Sequence, residues 1–502
     1  MNRTWMRLVS TAACLALPLC AQDLKENLKD FEKRITEFTL ANGMHFIVLE
    51  RHNAPTVAFH AYVNVGAAND PAGRTGLAHM FEHMIGKGTT TVGSKNWAAE
   101  KQALAAVEAV YAKLEEERRK EFRANAETIK NLQAELDAAI RKANDLVVPN
   151  EYVRVIEQNG AVGFNAGTAN DATFYFYSLP SNRAELWFLL TSQWFRQPVF
   201  REFYKERDVV REERRMRVES NPIGKLQEVL LSTALAAHPY RSLVGWASDI
   251  ERLTVRDAEE FFKTYYVPGN ITVAVAGDID PARAKQLAEK YFGPLPRGPL
   301  PPRVRTEEPR QEGEKRVAVE TPSQPFIFLA WHRPGQYHKD DPVFDVLANI
   351  LSSGRTGLLY KEMIEGRKVA LEAVAFPTFP SGKYANLFVM ASATAAGKTV
   401  EENEKAFGEI LDKLRKEKVD DATLNRVKTK LRASLVRQLD SNSGLASQLA
   451  SYHANYGDWR KLFTQIEDID RVTADDVQRV VREYLKDSTR TVGHTVAPKE
   501  TK

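Results

Sequence analysis

One run in the middle of the chain, from Tyr291 to Pro302, constrains the architecture more than any other segment. It holds Gly293, Pro294, Pro296, Gly298, Pro299, Pro301 and Pro302. Prolines at that density lack the amide donors that a helix or a sheet ladder needs, so the segment cannot join either. Charged residues continue as far as Lys315, and 293–315 reads as a linker. Beyond it a pattern met earlier starts again. Phe326 to Trp331 reads as a strand and Pro342 to Leu351 as a helix, in the order found around His79. The chain is therefore an internal repeat, with one domain expected over 30–292 and a second over 316–498.

The elements on either side of the linker are mixed. Ile35 to Leu49 alternates around Asn42-Gly43, which predicts a β-hairpin. Ala58 to Gly66 and Asn270 to Ala276 predict strands, and Leu186 to Phe195 and Lys225 to His238 predict helices. This is an α+β pattern. A chain of 502 residues, 43% hydrophobic and 27% charged, has the size and composition of a globular protein of two or more domains. Its formal charge of +4 comes with no long basic run, which argues against a nucleic-acid partner.

Within the first half, His79-Met80-Phe81-Glu82-His83 places two imidazoles four residues apart on one face of a helix, where they can converge on a single ion. Glu82 lies beside that ion, positioned to take a proton from a water acidified by zinc. Leu77, Ala78, Met80, Phe81 and Met84 make the rest of the helix apolar. Buried imidazoles and a buried carboxylate need partners, and a metal satisfies them together. Gly73, Gly76, Gly86 and Gly88 bracket the helix and keep it short.

A catalytic zinc takes three protein ligands and keeps one position open, so a third ligand is required. The charged run from Glu206 to Met216 offers it. Glu206 and Glu213 are two turns apart on one helical face, and Glu212 points away from it. Glu213 is the expected ligand and Glu206 its neighbour. The same run would also serve as a solvated helix laced with ion pairs.

Taken together, the order Gly-Leu-Ala-His-x-x-Glu-His-Met at 76–84, the strand Gly163 to Thr168 and the Glu-Arg-Asp-Val-Val-x-x-Glu run at 206–213 resemble the pitrilysin/insulinase family of inverted-motif zinc metallopeptidases. The resemblance extends from about Ile35 to Asp487. It implies two similar domains facing across a chamber, one Zn2+ per chain bound by His79, His83 and Glu213, Glu82 as general base, and Glu206 in the outer shell. It also implies that Asn165 and Ala166 lie on an edge strand that pairs with the substrate backbone. The second copy of the helix, Val343 to Ile350, holds no histidine, so only the first domain is expected to bind metal.

Two departures from the family stand out. From His83 to Glu213 is 130 positions, longer than the family's usual spacing, and the surplus lies in about 97–148, rich in Ala, Glu, Lys, Arg and Leu. Leu104, Val107, Tyr111 and Leu114, then Ile129, Leu132, Leu136 and Ile140, recur at helical spacing and predict an inserted helical hairpin turning at Arg123 to Ala126. Such an insert is read either as a solvated decoration or as a partner- or substrate-gating element. The second departure lies in Leu359 to Leu371. Active relatives are expected to carry an Arg and, seven residues on, a Tyr that contact the substrate; Ile364 and Leu371 stand there instead. Neither can donate a hydrogen bond. A companion subunit of the same fold supplying the Arg and Tyr is the expected remedy, with a homodimer or another donor within this chain as the alternatives.

At the N-terminus, Arg3 and Arg7 precede an apolar run from Leu8 to Ala21, which reads as a signal peptide cleaved near Ala21 and implies export, to a bacterial periplasm. The run is too short for an ordinary spanning helix, and no later run is longer, so no membrane span is expected in the mature chain. Leu17 to Cys20 faintly resembles a lipobox, with bulky Leu19 against lipidation at Cys20. Both cysteines, Cys14 and Cys20, fall in this segment, leaving no disulfide in the mature chain. The functional expectation is a zinc-dependent endopeptidase acting on peptides or small unfolded polypeptides, with a non-catalytic scaffold or assembly subunit of the same fold as the alternative.

Overall fold

Gly43, at φ 97°, turns the chain between β1 (Ile35–Thr39) and β2 (His45–Glu50), which pair antiparallel with Ile35 opposite Leu49 as the alternation predicts. The computed structural model describes residues 31–498 with the exception of residue 243. The expected signal segment and both cysteines lie outside them.

Four more strands complete the first sheet: β3 (Thr56–Val63), β4 (Val162–Thr168), β5 (Thr173–Pro180) and β6 (Ile271–Gly277). The second sheet contains β7 (Lys315–Glu320), β8 (Phe326–Arg333), β9 (Ala370–Phe379), β10 (Asn386–Thr394) and β11 (Arg490–Val496). The spatial orders are β1-β2-β6-β3-β5-β4 and β7-β11-β8-β10-β9. Setting β1 aside, both sheets run first, fifth, second, fourth, third in chain order, with only the first and fifth strands parallel. The repeat expected from sequence is thus present in the topology itself.

Helices of the first half are α1 (Leu77–Met84), α2 (Trp97–Arg118), α3 (Ala126–Asn144), α4 (Glu151–Gln158), α5 (Ala184–Arg196), α6 (Phe203–Arg214), α7 (Pro222–Ala234), the single turn α8 (Ala247–Ile250), α9 (Val255–Tyr265) and α10 (Pro281–Tyr291). Those of the second half are α11 (Asp341–Ser352), α12 (Val400–Lys416), α13 (Asp421–Gln438), α14 (Asn442–Tyr456), α15 (Lys461–Arg471) and α16 (Ala474–Tyr484). The strand expected over Ala58 to Gly66 is Thr56–Val63, and two helical boundaries also differ from the sequence reading. The helix expected over Lys225 to His238 starts at Pro222, behind the Asn221 cap, and stops at Ala234, because Leu235 is extended. His238 instead caps the next turn, its Nδ1 accepting from the Tyr240 amide at 3.2 Å. The charged run after Glu206 remains α-helical only to Arg214 and widens into a π-helical turn, Arg215–Glu219.

One face of the first sheet packs on α1, α5 and α10 through Phe59, Phe81, Trp187, Phe188, Trp194 and Phe292, all buried. Phe59 stacks on Trp187 at 4.7 Å, a contact worth about 0.5–1.5 kcal/mol beyond area burial. The other face is covered by the second half: Leu445, Ala446, Leu449 and Ala450 of α14 pack on Ile47, Leu49, Ala58 and Ala276. The arrangement is reciprocal. Leu226, Leu230 and Leu231 of α7, from the first half, pack on Phe328, Ala330 and Val389 of the second sheet. The connection between the sheets is not a free tether either, since Glu308 accepts from the amides of Ala236, Ala237 and His238 and Gln311 donates to the Arg490 carbonyl.

Candidate metal centre

The helix α1 begins abruptly at Gly76, whose φ of 91° only glycine adopts without strain. Asp70 holds that start by accepting from the amides of Gly76 at 2.7 Å and Ala78 at 2.9 Å, donors that a helix N-terminus leaves orphaned. Burial pushes the Asp70 carboxyl up to about 7, opposed by those amides. Thr75 anchors the same point, donating to Asp249 and accepting from the Trp246 amide. On the core side of α1, Phe81 is ringed by Trp194, Phe262 and Tyr266. With the apolar face fixed, His79, Glu82 and His83 point together into a cleft of about 550 Å³, which Glu213, Arg217 and Thr168 also line.

Across the cleft α6 packs on α1 and presents Glu213. Its Oε2 lies 3.6 Å from His79 Nε2 and 3.4 Å from His83 Nε2, too long for good hydrogen bonds. Ligands of a tetrahedral zinc at 2.0–2.1 Å sit roughly 3.3 Å apart, so these spacings suit a shared ion better than a shared proton. One donor atom from each of the three residues lies within 4.8 Å of the other two. The rings meet nearly edge-on, at 85°, so their in-plane lone pairs can converge. Burial, then the neighbouring imidazole of His83, pushes His79 well below the usual range, leaving it neutral and able to coordinate.

The surrounding groups hold this set in place. Glu206 Oε2 faces His83 Nδ1 at 3.5 Å, and its other oxygen pairs with Lys87 Nζ at 2.5 Å. Burial alone would raise the Glu206 carboxyl, but His83 and Lys87 outweigh it and hold it below its ordinary value. Burial raises Glu82, and the charge of Glu213 adds to the rise, against the pull of Thr168 and His83. Glu212 is exposed and pairs with Arg215 at 2.6 Å, away from the imidazoles. Sequence reasoning missed Arg217, whose Nη2 binds the far oxygen of Glu213 at 2.7 Å and thereby aims the other oxygen at the histidines. Its spacing of four residues from Glu213 was the available signal.

Asn165 and Ala166 are on β4, the edge of the first sheet, and both line the cleft. The Ala166 amide donates to the Asn165 side-chain oxygen at 2.9 Å, so that polar group is already paired within the strand. Among the described residues, those lining the cleft all come from the first half; neither Ile364 nor Leu371 reaches it. Leu371 is exposed, and Ile364 packs against the second core.

The hairpin α2–α3 is more than a solvated decoration. Buried Glu100 pairs with buried Arg201 at 2.7 Å, and Arg201 also donates to the carbonyls of Thr89 and Val92. Tyr111 stacks on Tyr204 and accepts from Arg207, while Tyr204 donates to Glu108. The insert therefore buttresses α6, the helix that carries Glu206 and Glu213.

Comparison with known proteins adds to this geometry. A family profile described as insulinase, peptidase family M16, matches residues 46–134 and 144–245, and one described as the peptidase M16 inactive domain matches 252–431. The chain belongs to the M16 family of peptidases. The zinc protease PqqE of Helicobacter pylori is 25% identical over 469 residues, 90% of each chain. The crystal structure of a protease from Helicobacter pylori superposes with a TM-score of 0.75 at 23% identity, covering 92% of this chain and 99% of that one. A structure from Pseudomonas fluorescens described as a peptidase M16 inactive domain gives 0.73 at 17% identity, covering 93% and 98%. The fold of this M16 chain is accordingly the α+β, two-domain arrangement of the pitrilysin type, and α1, which carries His79, Glu82 and His83, falls within the profile of the insulinase domain.

Proposed function

We propose that this M16 chain is a zinc-dependent endopeptidase that hydrolyses peptides or small unfolded polypeptides outside the cytoplasm. The observation that carries the reading is the spacing of His79, His83 and Glu213, which suits one tetrahedral ion, with Glu82 in the same cleft. His79, His83 and Glu213 would hold the zinc ion, which would supply Lewis acidity and make water in the cleft a better acid. Glu82, lifted by burial, accepts a proton from the attacking water and returns one to the departing amine. Glu206 orients His83, and Arg217 holds Glu213. An extended peptide adds to the exposed edge of β4, where Asn165 can exchange its bond to the Ala166 amide for one to substrate.

A companion subunit of the same fold completes the cleft, supplying the Arg and Tyr that Ile364 and Leu371 replace. The supporting observation is that no described residue of the second half lines the cleft. Co-expression with such a homologue should raise peptidase activity at least about tenfold, a floor below the roughly hundredfold or greater effect of a single transition-state donor. A purified homodimer as active alone as with the companion would overturn that assignment. The reading as a whole is tested by metal analysis together with cleavage of a mixed peptide library. Hydrolysis that stops with chelator and returns with zinc is expected; a fully loaded chain, with and without its companion, that cleaves nothing would leave the scaffold reading in its place.

A further inference from the structure

A second set of donors joins the two halves at the far edge of the first sheet. Glu37 lies on β1, His45 on β2 and His453 on α14 of the second half, and one donor atom from each falls within 4.8 Å of the other two. The Thr39 hydroxyl lies 2.9 Å from His45 Nδ1. With that nitrogen donating, the lone pair of Nε2 is free, and Nε2 is buried with no hydrogen-bond partner. His453 Nδ1 is likewise buried and unpartnered. Orphaned buried nitrogens on adjacent rings are costly unless something binds them.

The arrangement of Glu37 parallels that of Glu213. In each, an arginine holds one carboxylate oxygen while the other faces imidazole nitrogen: Arg460 lies 3.2 Å from Glu37 Oε1, and Glu37 Oε2 lies 3.6 Å from His45 Nε2. Trp459 Nε1 donates to that same Oε2 at 3.2 Å, as an outer partner of a ligating carboxylate would. One difference is instructive. The rings of His45 and His453 are stacked at 3.7 Å and only 6° from parallel, whereas those of His79 and His83 are nearly perpendicular. Parallel rings aim their lone pairs alongside one another, so they must splay for both to reach one ion.

We propose that Glu37, His45 and His453 form a second metal site, for a divalent transition ion of the zinc class, that clasps the first sheet to α14. Two imidazoles and a carboxylate are a donor set that such ions accept. Because its rings must open, the clasp binds more weakly than the cleft site, and it fills at higher free zinc. It contributes to cohesion between the halves and takes no part in hydrolysis.

The test counts zinc after equilibrium dialysis at graded free zinc. The full-length chain should bind two equivalents in two steps, and His453→Gln one, with peptidase activity kept. In a His79→Gln/His83→Gln background one equivalent should remain and should raise the unfolding temperature, and adding His453→Gln should abolish both. One equivalent in the unaltered chain, or an unchanged second equivalent in His453→Gln, would overturn the proposal. If the double variant fails to fold, the comparison of the unaltered chain with His453→Gln still decides it. Zinc stoichiometry and unfolding temperature decide the outcome, so the clasp can fail or hold independently of the proposed hydrolysis.

Discussion

The two halves share one strand order, yet the helix that follows the second strand has opposite character in each. In the first half α1 turns His79, Glu82 and His83 toward Glu213 on α6. In the second, α11 takes the same place and packs on α13 with Phe344, Leu347 and Ile350 meeting Leu424 and Val427. Where one half sets imidazoles against its carboxylates, the other carries Asp341 and Asp345 on the corresponding helix, with Arg333 paired to Asp341 and no imidazole on that helix. The shared strand order forms with imidazoles on that helix in one half and without them in the other. A helix pair that buries two imidazoles against a carboxylate at distances too long for good hydrogen bonds points to a ligand rather than to stability.

That contrast can be broken by substitution. The largest expected effect is on Glu82. Glu82→Gln should lower peptide hydrolysis about a thousandfold, near 4 kcal/mol in the barrier, while zinc content stays near that of the parent. Near-normal turnover would remove Glu82 from the chemistry. On the apolar side, Leu347→Ala should cost about 3 kcal/mol in urea unfolding and leave zinc content unchanged, because Leu347 is fully buried in the second core. Loss of metal from that variant would mean that the halves are not divided by role as described.

Glu213→Gln should weaken zinc retention by about a hundredfold, whereas Glu212→Gln should not alter it, as read by dialysis against a chelator series. Equal losses would refute the assignment of helical faces. A fourth comparison uses pH. His60 in the first sheet packs beside Phe174 and Phe176, and burial pushes it down to about 4, whereas His332 in the second sheet donates to the Ala234 carbonyl. The folded chain holds His60 neutral while the unfolded chain protonates below 6.5, so stability is lost as pH falls through that window. Between pH 7.5 and 5 the loss should be about 2 kcal/mol, and His60→Leu should remove it. An acid limb unchanged by the substitution would acquit His60. The smallest effect is expected from Glu206→Gln, about tenfold in activity with zinc largely kept, as suits a carboxylate that faces His83 and stands outside the proposed ligand set.

Much of this arrangement was legible in the sequence because it is local. The spacing from His79 to His83 fixes one helical face, the separation of Glu206 and Glu213 fixes another, and Asn42-Gly43 fixes a register. The hairpin was visible as two helices for the same reason, though not what it leans on, since the pairs Glu100–Arg201 and Tyr111–Tyr204 span roughly a hundred residues. Lys87 was hidden among many charged residues, and the four-residue spacing of Arg217 from Glu213 was one signal among several in a run dense in charge. Asp70 was hidden too, because capping across a loop leaves no fixed spacing. The exchange of α7 and α14 was equally out of reach: each shows an apolar stripe, and a stripe does not say which sheet it covers.

That exchange has a consequence for how the chain is made. The outer face of the first sheet, with Ile47, Leu49, Ala58 and Ala276, is complete once Gly277 has left the ribosome, but its cover is α14, which ends at Tyr456. At typical synthesis rates of about 5–20 residues per second, that greasy face waits on the order of ten seconds or more for its lid. During that interval the nascent protein is a client for whatever chaperone or export factor binds exposed hydrocarbon. A chain released early, anywhere before α14, would carry that face into solution as an aggregation hazard.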